Sequence, residues 1–128
     1  MAAAHTKTTT ITAIGGILVT DFDADEDSED DVTDNTSGTL YLVEVDNTAN
    51  ASTAAYLRIR DAASAVPSHA TNGVPTWVFY AAAASTATYA IPLGAAYSAG
   101  LSMWCTTNNA AQNTSAPSNK VIVRIVAS

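Results

Sequence analysis

TLYLVEV (residues 39–45) and KVIVRIVA (residues 120–127) bracket the second half of this chain, and the way they alternate decides its fold. In an extended strand successive side chains point to opposite faces. Residues 39–45 then place Tyr41, Val43 and Val45 on one face and Leu40, Leu42 and Glu44 on the other. Residues 120–127 turn Val121, Val123 and Ile125 inward and Arg124 outward. Both runs are too short for a stable helix and rich in β-branched residues, so both read as strands.

Between them the same pattern recurs. Residues 54–60 (AAYLRIR) direct Leu57 and Ile59 to a core and Tyr56, Arg58 and Arg60 away from it. In residues 74–81 (VPTWVFYA) Trp77 and Phe79 share one face, Val78 and Tyr80 the other. Residues 85–92 (STATYAIP) form a further extended run. Residues 101–107 set Leu101, Met103 and Cys105 against Trp104. Asn, Ser, Gly and Pro separate these runs at roughly 8–15-residue spacing, the rhythm of a sandwich or barrel. The expected fold is all-β: a jelly-roll-like antiparallel β-sandwich over residues 39–128, with an N-terminal extended arm.

The arm is residues 1–20. Residues 1–7 read as a tail, and residues 8–20 (TTTITAIGGILVT) as β-prone sequence bent or divided at Gly15-Gly16. Residues 21–38 (DFDADEDSEDDVTDNTSG) form the acidic segment. Nine of the twelve acidic residues lie between Asp21 and Asp34. Like charges at this density oppose compaction, so a loop, solvated or ion-bound, is expected there and not a regular element.

The formal net charge is −7, yet the body from Thr39 onward carries three acids and four bases. No basic patch is present to follow a phosphate backbone, so nucleic acid is not an expected partner. No run approaches the roughly 20 apolar residues of a membrane span, and none is expected. Cys105 is the single cysteine, which excludes an intrachain disulfide. Much of the apolar 48% is alanine, which buries little area. A core short of large residues, under strands apolar on both faces, points to a subunit that assembles.

No catalytic constellation stands out. Ser68 and His69 adjoin in a loop that follows Asp61, but sequence adjacency does not supply triad geometry, and no G-x-S-x-G turn is present. His5 lacks partners for a metal. The alternating Asp21, Asp23, Asp25 and Asp27 are the candidate Ca²⁺ ligands, because hard oxygen donors suit that ion; otherwise no cofactor is expected. Cys105 reads as a small core residue. The residues assigned to an interface are Ile11, Ile14, Ile17, Arg58, Arg60, Trp77, Tyr80 and Trp104. The exposed-aromatic alternative is a carbohydrate platform built on Trp77, Phe79, Tyr80 and Trp104.

A string of cues over about the last 85 residues resembles tailed-bacteriophage virion proteins. The cues are Asn47-Thr48, Tyr56-Leu57-Arg58-Ile59, Asp61-Ala62 leading to Pro67, the strand from Pro75 to Tyr80, Pro92 to Gly94, and Gly100-Leu101. The acidic segment and the alanine run at residues 81–84 depart from that pattern. The resemblance implies a small β-sandwich structural module of a phage head or tail, with no enzymatic activity and no organic cofactor. The first expectation is a homotrimeric capsid decoration (cement) protein. It would be made in the host cytoplasm and bind the major capsid protein on the capsid surface of the virion. A tail or neck fibre module is the alternative.

Overall fold

The computed structural model describes residues 5–9 and 15–128. The alternating runs form strands β1 (His5–Thr8), β2 (Ile17–Asp21), β3 (Gly38–Asp46), β4 (Ala55–Asp61), β5 (Trp77–Ala81), β6 (Thr86–Tyr97), β7 (Leu101–Thr106) and β8 (Ile122–Ala127). They make two antiparallel sheets, ordered β1-β2-β8-β3-β6 and β5-β4-β7. The protein is an all-β sandwich.

The core lies between the sheets. Leu40, Val43 and Val45 of β3, Val123 and Ile125 of β8, and Val19 of β2 meet Leu57 and Ile59 of β4, Phe79 of β5, and Leu101, Met103 and Cys105 of β7. Each of these apolar groups contributes about 1.5–3 kcal/mol by leaving water. The faces read from sequence for β4, β5, β7 and β8 are the faces observed.

β3 departs from simple alternation. Its pairing shifts between Leu40 and Leu42 against both neighbours, a bulge that puts Leu40 in the core with Val43 and Val45 and turns Tyr41 out of it. On β6 the residues opposite this point, Ile91 to Gly94, are looped out between Ala90 and Ala95. Gly94 there has φ +74°, and a Cβ would lie 2.1 Å from Thr39 Cγ2, so only glycine fits. Pro92 is tolerated because β6 is a sheet edge, where a missing N–H breaks no ladder.

The described parts of the N-terminal arm pair within the subunit's own sheet. β2 pairs along its whole length with β8, from Ile17↔Ala127 to Asp21↔Val123, and β1 folds back on β2. Within the expected tail, β1 is a strand, and Lys7 forms an ion pair with Asp34.

The acidic segment is the loop expected of it, but one docked on the sandwich. Glu29 and Met103 exchange both backbone hydrogen bonds, Cys105 N–H donates to the Asp25 carbonyl, and Val32 N–H to the Leu101 carbonyl. The segment runs antiparallel beside β7 without forming a strand of its own, residues 25–32 spanning what β7 covers with residues 101–105 and meeting it in one bridge, Glu29 to Met103. Ala24 N–H reaches the Val121 carbonyl, so the segment ties the β7 edge of one sheet to the chain leading into β8 of the other.

Counted as a strand between β2 and β3, the segment makes the strands from β2 onward eight. The sheets then read first-eighth-third-sixth and second-seventh-fourth-fifth, the strand order of a jelly roll. Charge repulsion is overcome because several carboxylates accept backbone N–H groups, two of them within the segment and one from the loop after β4. Asp21 Oδ1 takes Asp23 N–H at 3.0 Å, Asp25 Oδ1 takes Asp27 N–H at 3.0 Å, and Asp30 Oδ1 takes Ala65 N–H at 3.1 Å. Ala24, Val32 and Thr33 supply the burial.

Candidate functional site

The alternating aspartates do not converge. Asp21 turns inward and is buried, whereas Asp23 and Asp25 line an open cleft of about 480 Å³ with Glu26, facing Ala116 to Lys120 across it. Among the described residues no three His, Cys, Asp or Glu side chains are gathered as a metal ion requires. The cleft is therefore not built as a calcium site of the kind the spacing suggested.

Asp25 is nonetheless unusual: it is 6% exposed, and its Oδ2 has no hydrogen-bond partner. Burial raises its pKa from 3.8 to about 6, with the neighbouring charges of Glu26, Asp27 and Asp23 adding and the Asp27 N–H partly offsetting.

The Ser-His pair is not oriented by Asp61. His69 Nδ1 accepts the N–H groups of Thr71 and Asn72, both at 3.1 Å, and so holds its own turn. The carboxylate of Asp61 is occupied elsewhere. It takes Ser98 N–H at 2.9 Å and Ala99 N–H at 2.8 Å, fixing the turn from β6 to β7. The Cys105 thiol is buried in the core, and burial pushes its pKa up to about 12, which holds it in the unreactive thiol form.

The residues assigned to an interface scatter. Ile11 and Ile14 lie outside the described residues. Ile17 and Trp77 pack against the core. Arg60 is half-buried and donates to the Val74 carbonyl at 2.7 Å. Arg58 and Trp104 sit side by side on the outer face of the smaller sheet, yet they are only 2% and 1% exposed. Neither presents appreciable exposed surface. Loop carbonyls of Asn108 and Ala110 cover Arg58, and the chain around Ala62 and Asp31 closes on the neighbouring Ser102. Alternation placed these side chains outward correctly and could not show that loops fold over that face.

Tyr80 alone of the described members of the set is well exposed, its ring 5.2 Å from that of Tyr56. The sugar platform is not assembled, because Phe79 and Trp77 face the core and Trp104 is covered.

A different apolar surface emerges on the larger sheet. Leu18, Val126, Leu42 and Ala90 stand in one cross-strand row over β2, β8, β3 and β6. Val19, Val43 and Ile125, their neighbours in sequence, are in the core, so this row faces outward, and Leu18, Leu42 and Val126 are half-buried. At the β6 end, the looped-out residues carry Leu93, which is 97% exposed. The signal for Leu93 was present in the sequence: Pro92 and Gly94 on either side of a leucine mark an irregularity, which is the bulge within β6.

Comparison with family models, curated proteins and solved structures finds no match to this chain.

Proposed function

We propose that the chain is a structural virion protein, a decoration (cement) protein that binds between capsomers and stabilises a phage head. It acts as a homotrimer seated on the major capsid protein, and its mechanism is burial of apolar area at many equivalent contacts.

The observation that carries this reading is the outward row Leu18–Val126–Leu42–Ala90, together with the exposed Leu93 three residues further along β6. A fully exposed leucine on a rigid sheet edge is a liability for a lone subunit and an anchor for an assembled one. The jelly-roll strand order supports the reading by fold-level analogy, since viral capsid domains use it. So does the resemblance of the cues from Asn47 to Leu101. The contact surface differs from the one expected from Arg58 and Trp104, because those residues are covered.

The test is re-addition of purified chain to heads that lack it, followed by sedimentation and densitometry. Wild type is expected to saturate the heads. Leu93→Asp, which removes no packing contact within the subunit, is expected to weaken attachment about 10–100-fold, the equivalent of about 1.5–3 kcal/mol per buried leucine. Attachment of Leu93→Asp at wild-type affinity would remove this surface from consideration, and failure of wild type to bind any head would remove the function.

A further inference from the structure

Arg58 is a buried cation without a counter-ion. Its Nε donates to Thr106 Oγ1 at 3.2 Å, and its Nη2 donates to the carbonyls of Asn108 and Ala110, each at 2.8 Å. All three acceptors are neutral. Nη1 has no partner among the described residues, and no carboxylate contributes to the group's electrostatics. Desolvation accordingly lowers its pKa. Buried charges are ordinarily paired, so a guanidinium held this way has an unmet demand for an anion.

Arg58 also lines a small cavity of about 120 Å³ between the loop leading into β5 and the loop after β7. The rest of the lining is small and apolar at Ala70, Gly73, Val74, Pro75 and Ala111, with Gln112 as the one other polar side chain. Both walls are fixed before any ligand arrives. On one side His69 N–H bonds to the Val66 carbonyl and Gly73 N–H to the His69 carbonyl. A Cβ on Gly73 would lie 2.5 Å from the Pro67 carbonyl, so that turn is tightly closed. On the other side the guanidinium itself clamps the chain at Asn108 and Ala110. A preformed wall spares a ligand the cost of ordering it.

We propose that this cavity is a binding site for a carboxylate carrying a short apolar tail, with Arg58 as the anion-binding group. The volume equals about four waters, enough for a carboxylate and a tail of about two carbons. One guanidinium matches a planar monoanion, whereas a phosphate dianion calls for more positive charge than Arg58, the one cation in the lining, provides. The carboxylate is either a free short-chain acid or the C-terminus of a polypeptide. The site stands independently of the decoration reading.

The test is a ¹H–¹⁵N NMR titration of the full chain with sodium propionate, against sodium chloride at matched ionic strength. A second arm uses a short peptide ending in valine, with its C-terminus free or amidated. Saturable shifts at the amides of Gly73 and Ala111 and at Arg58 Nε–H are expected with propionate, and not with chloride. Saturation by the free-acid peptide but not by propionate or the amide assigns the site to a polypeptide terminus and equally supports it. Ala70→Leu fills the cavity from an exposed loop position; it is expected to keep the remaining spectrum and lose the saturable shifts. Linear shifts with every anion, or saturation unchanged in Ala70→Leu, would overturn the proposal.

Discussion

Replacing Asp25 with asparagine should stabilise the protein at neutral pH and do so progressively less as the pH falls. Asp25 is the buried carboxyl whose Oδ2 lacks a partner, and its pKa is raised from 3.8 to about 6. When the folded-state value lies above the unfolded one, the folded state holds the proton more tightly. The group then imposes no penalty below about pH 4, a growing one between about pH 4 and pH 6, and a constant one above. At about 1.36 kcal/mol per pH unit the ceiling is about 3 kcal/mol. Because Asp25 borders an open cleft, solvent screening reduces this to about 1–2 kcal/mol.

Asparagine keeps the Oδ1 acceptor for Asp27 N–H and cannot ionise. Any fixed packing difference cancels when one pH is compared with another. Urea unfolding of both proteins at a series of pH values is the assay. The stability of Asp25→Asn minus that of wild type should climb by about 1–2 kcal/mol from about pH 4 to pH 7, roughly a 0.5–1 M rise in relative midpoint at typical urea slopes. A difference that stays flat, or falls as the pH rises, refutes the claim that Asp25 is ionised at a cost within the fold.

Three further outcomes follow from particular contacts. Cys105 should resist alkylation in the native protein at about pH 8 and react only on global opening, because its thiol is buried with a pKa of about 12; mass spectrometry after a timed iodoacetamide pulse reads this. Asn50 donates to Asn47 Oδ1 at 2.9 Å and receives Asn119 N–H at 2.9 Å, joining the β3–β4 turn to the chain before β8; Asn50→Ala should cost about 2–3 kcal/mol in thermal or urea unfolding. The pair between Arg124 and Glu44, 2.7 Å apart, is partly exposed on the outer face of the larger sheet, so Arg124→Ala should cost only about 0.5 kcal/mol and depend on salt.

The strand faces were legible wherever alternation met no irregularity. Trp77 with Phe79, Leu101 with Met103 and Cys105, and Val121 with Val123 and Ile125 all lie as their spacing indicates. The pattern misplaced Leu40 and Tyr41, because a bulge reverses the phase and nothing local to residues 39–45 announces it. The partner irregularity, at Pro92-Leu93-Gly94, was visible as turn chemistry but lies in a different strand.

The acidic segment is a loop, as its composition indicates, but one docked on the sandwich. Its composition reports repulsion, while its fold depends on non-local pairings with Leu101, Met103 and Cys105, and on carboxylates that accept backbone N–H groups. Arg58 and Trp104 show the same limit. Strand period assigns a side chain to a face, but which loops later cover that face is a tertiary fact. The N-terminal residues carry a further consequence. Deleting residues 1–20 removes nearly all of β2 from its pairing with β8, so such a truncation should unfold the subunit and not merely detach it from a partner.

The copy number of this chain on purified virus particles bears most directly on its proposed role. Quantitative gel densitometry or single-particle microscopy of intact heads should find it in hundreds of copies, arranged as trimers at the threefold and quasi-threefold positions of the shell. A few to a few dozen copies confined to the neck or tail, or none on the particle, would contradict the decoration reading.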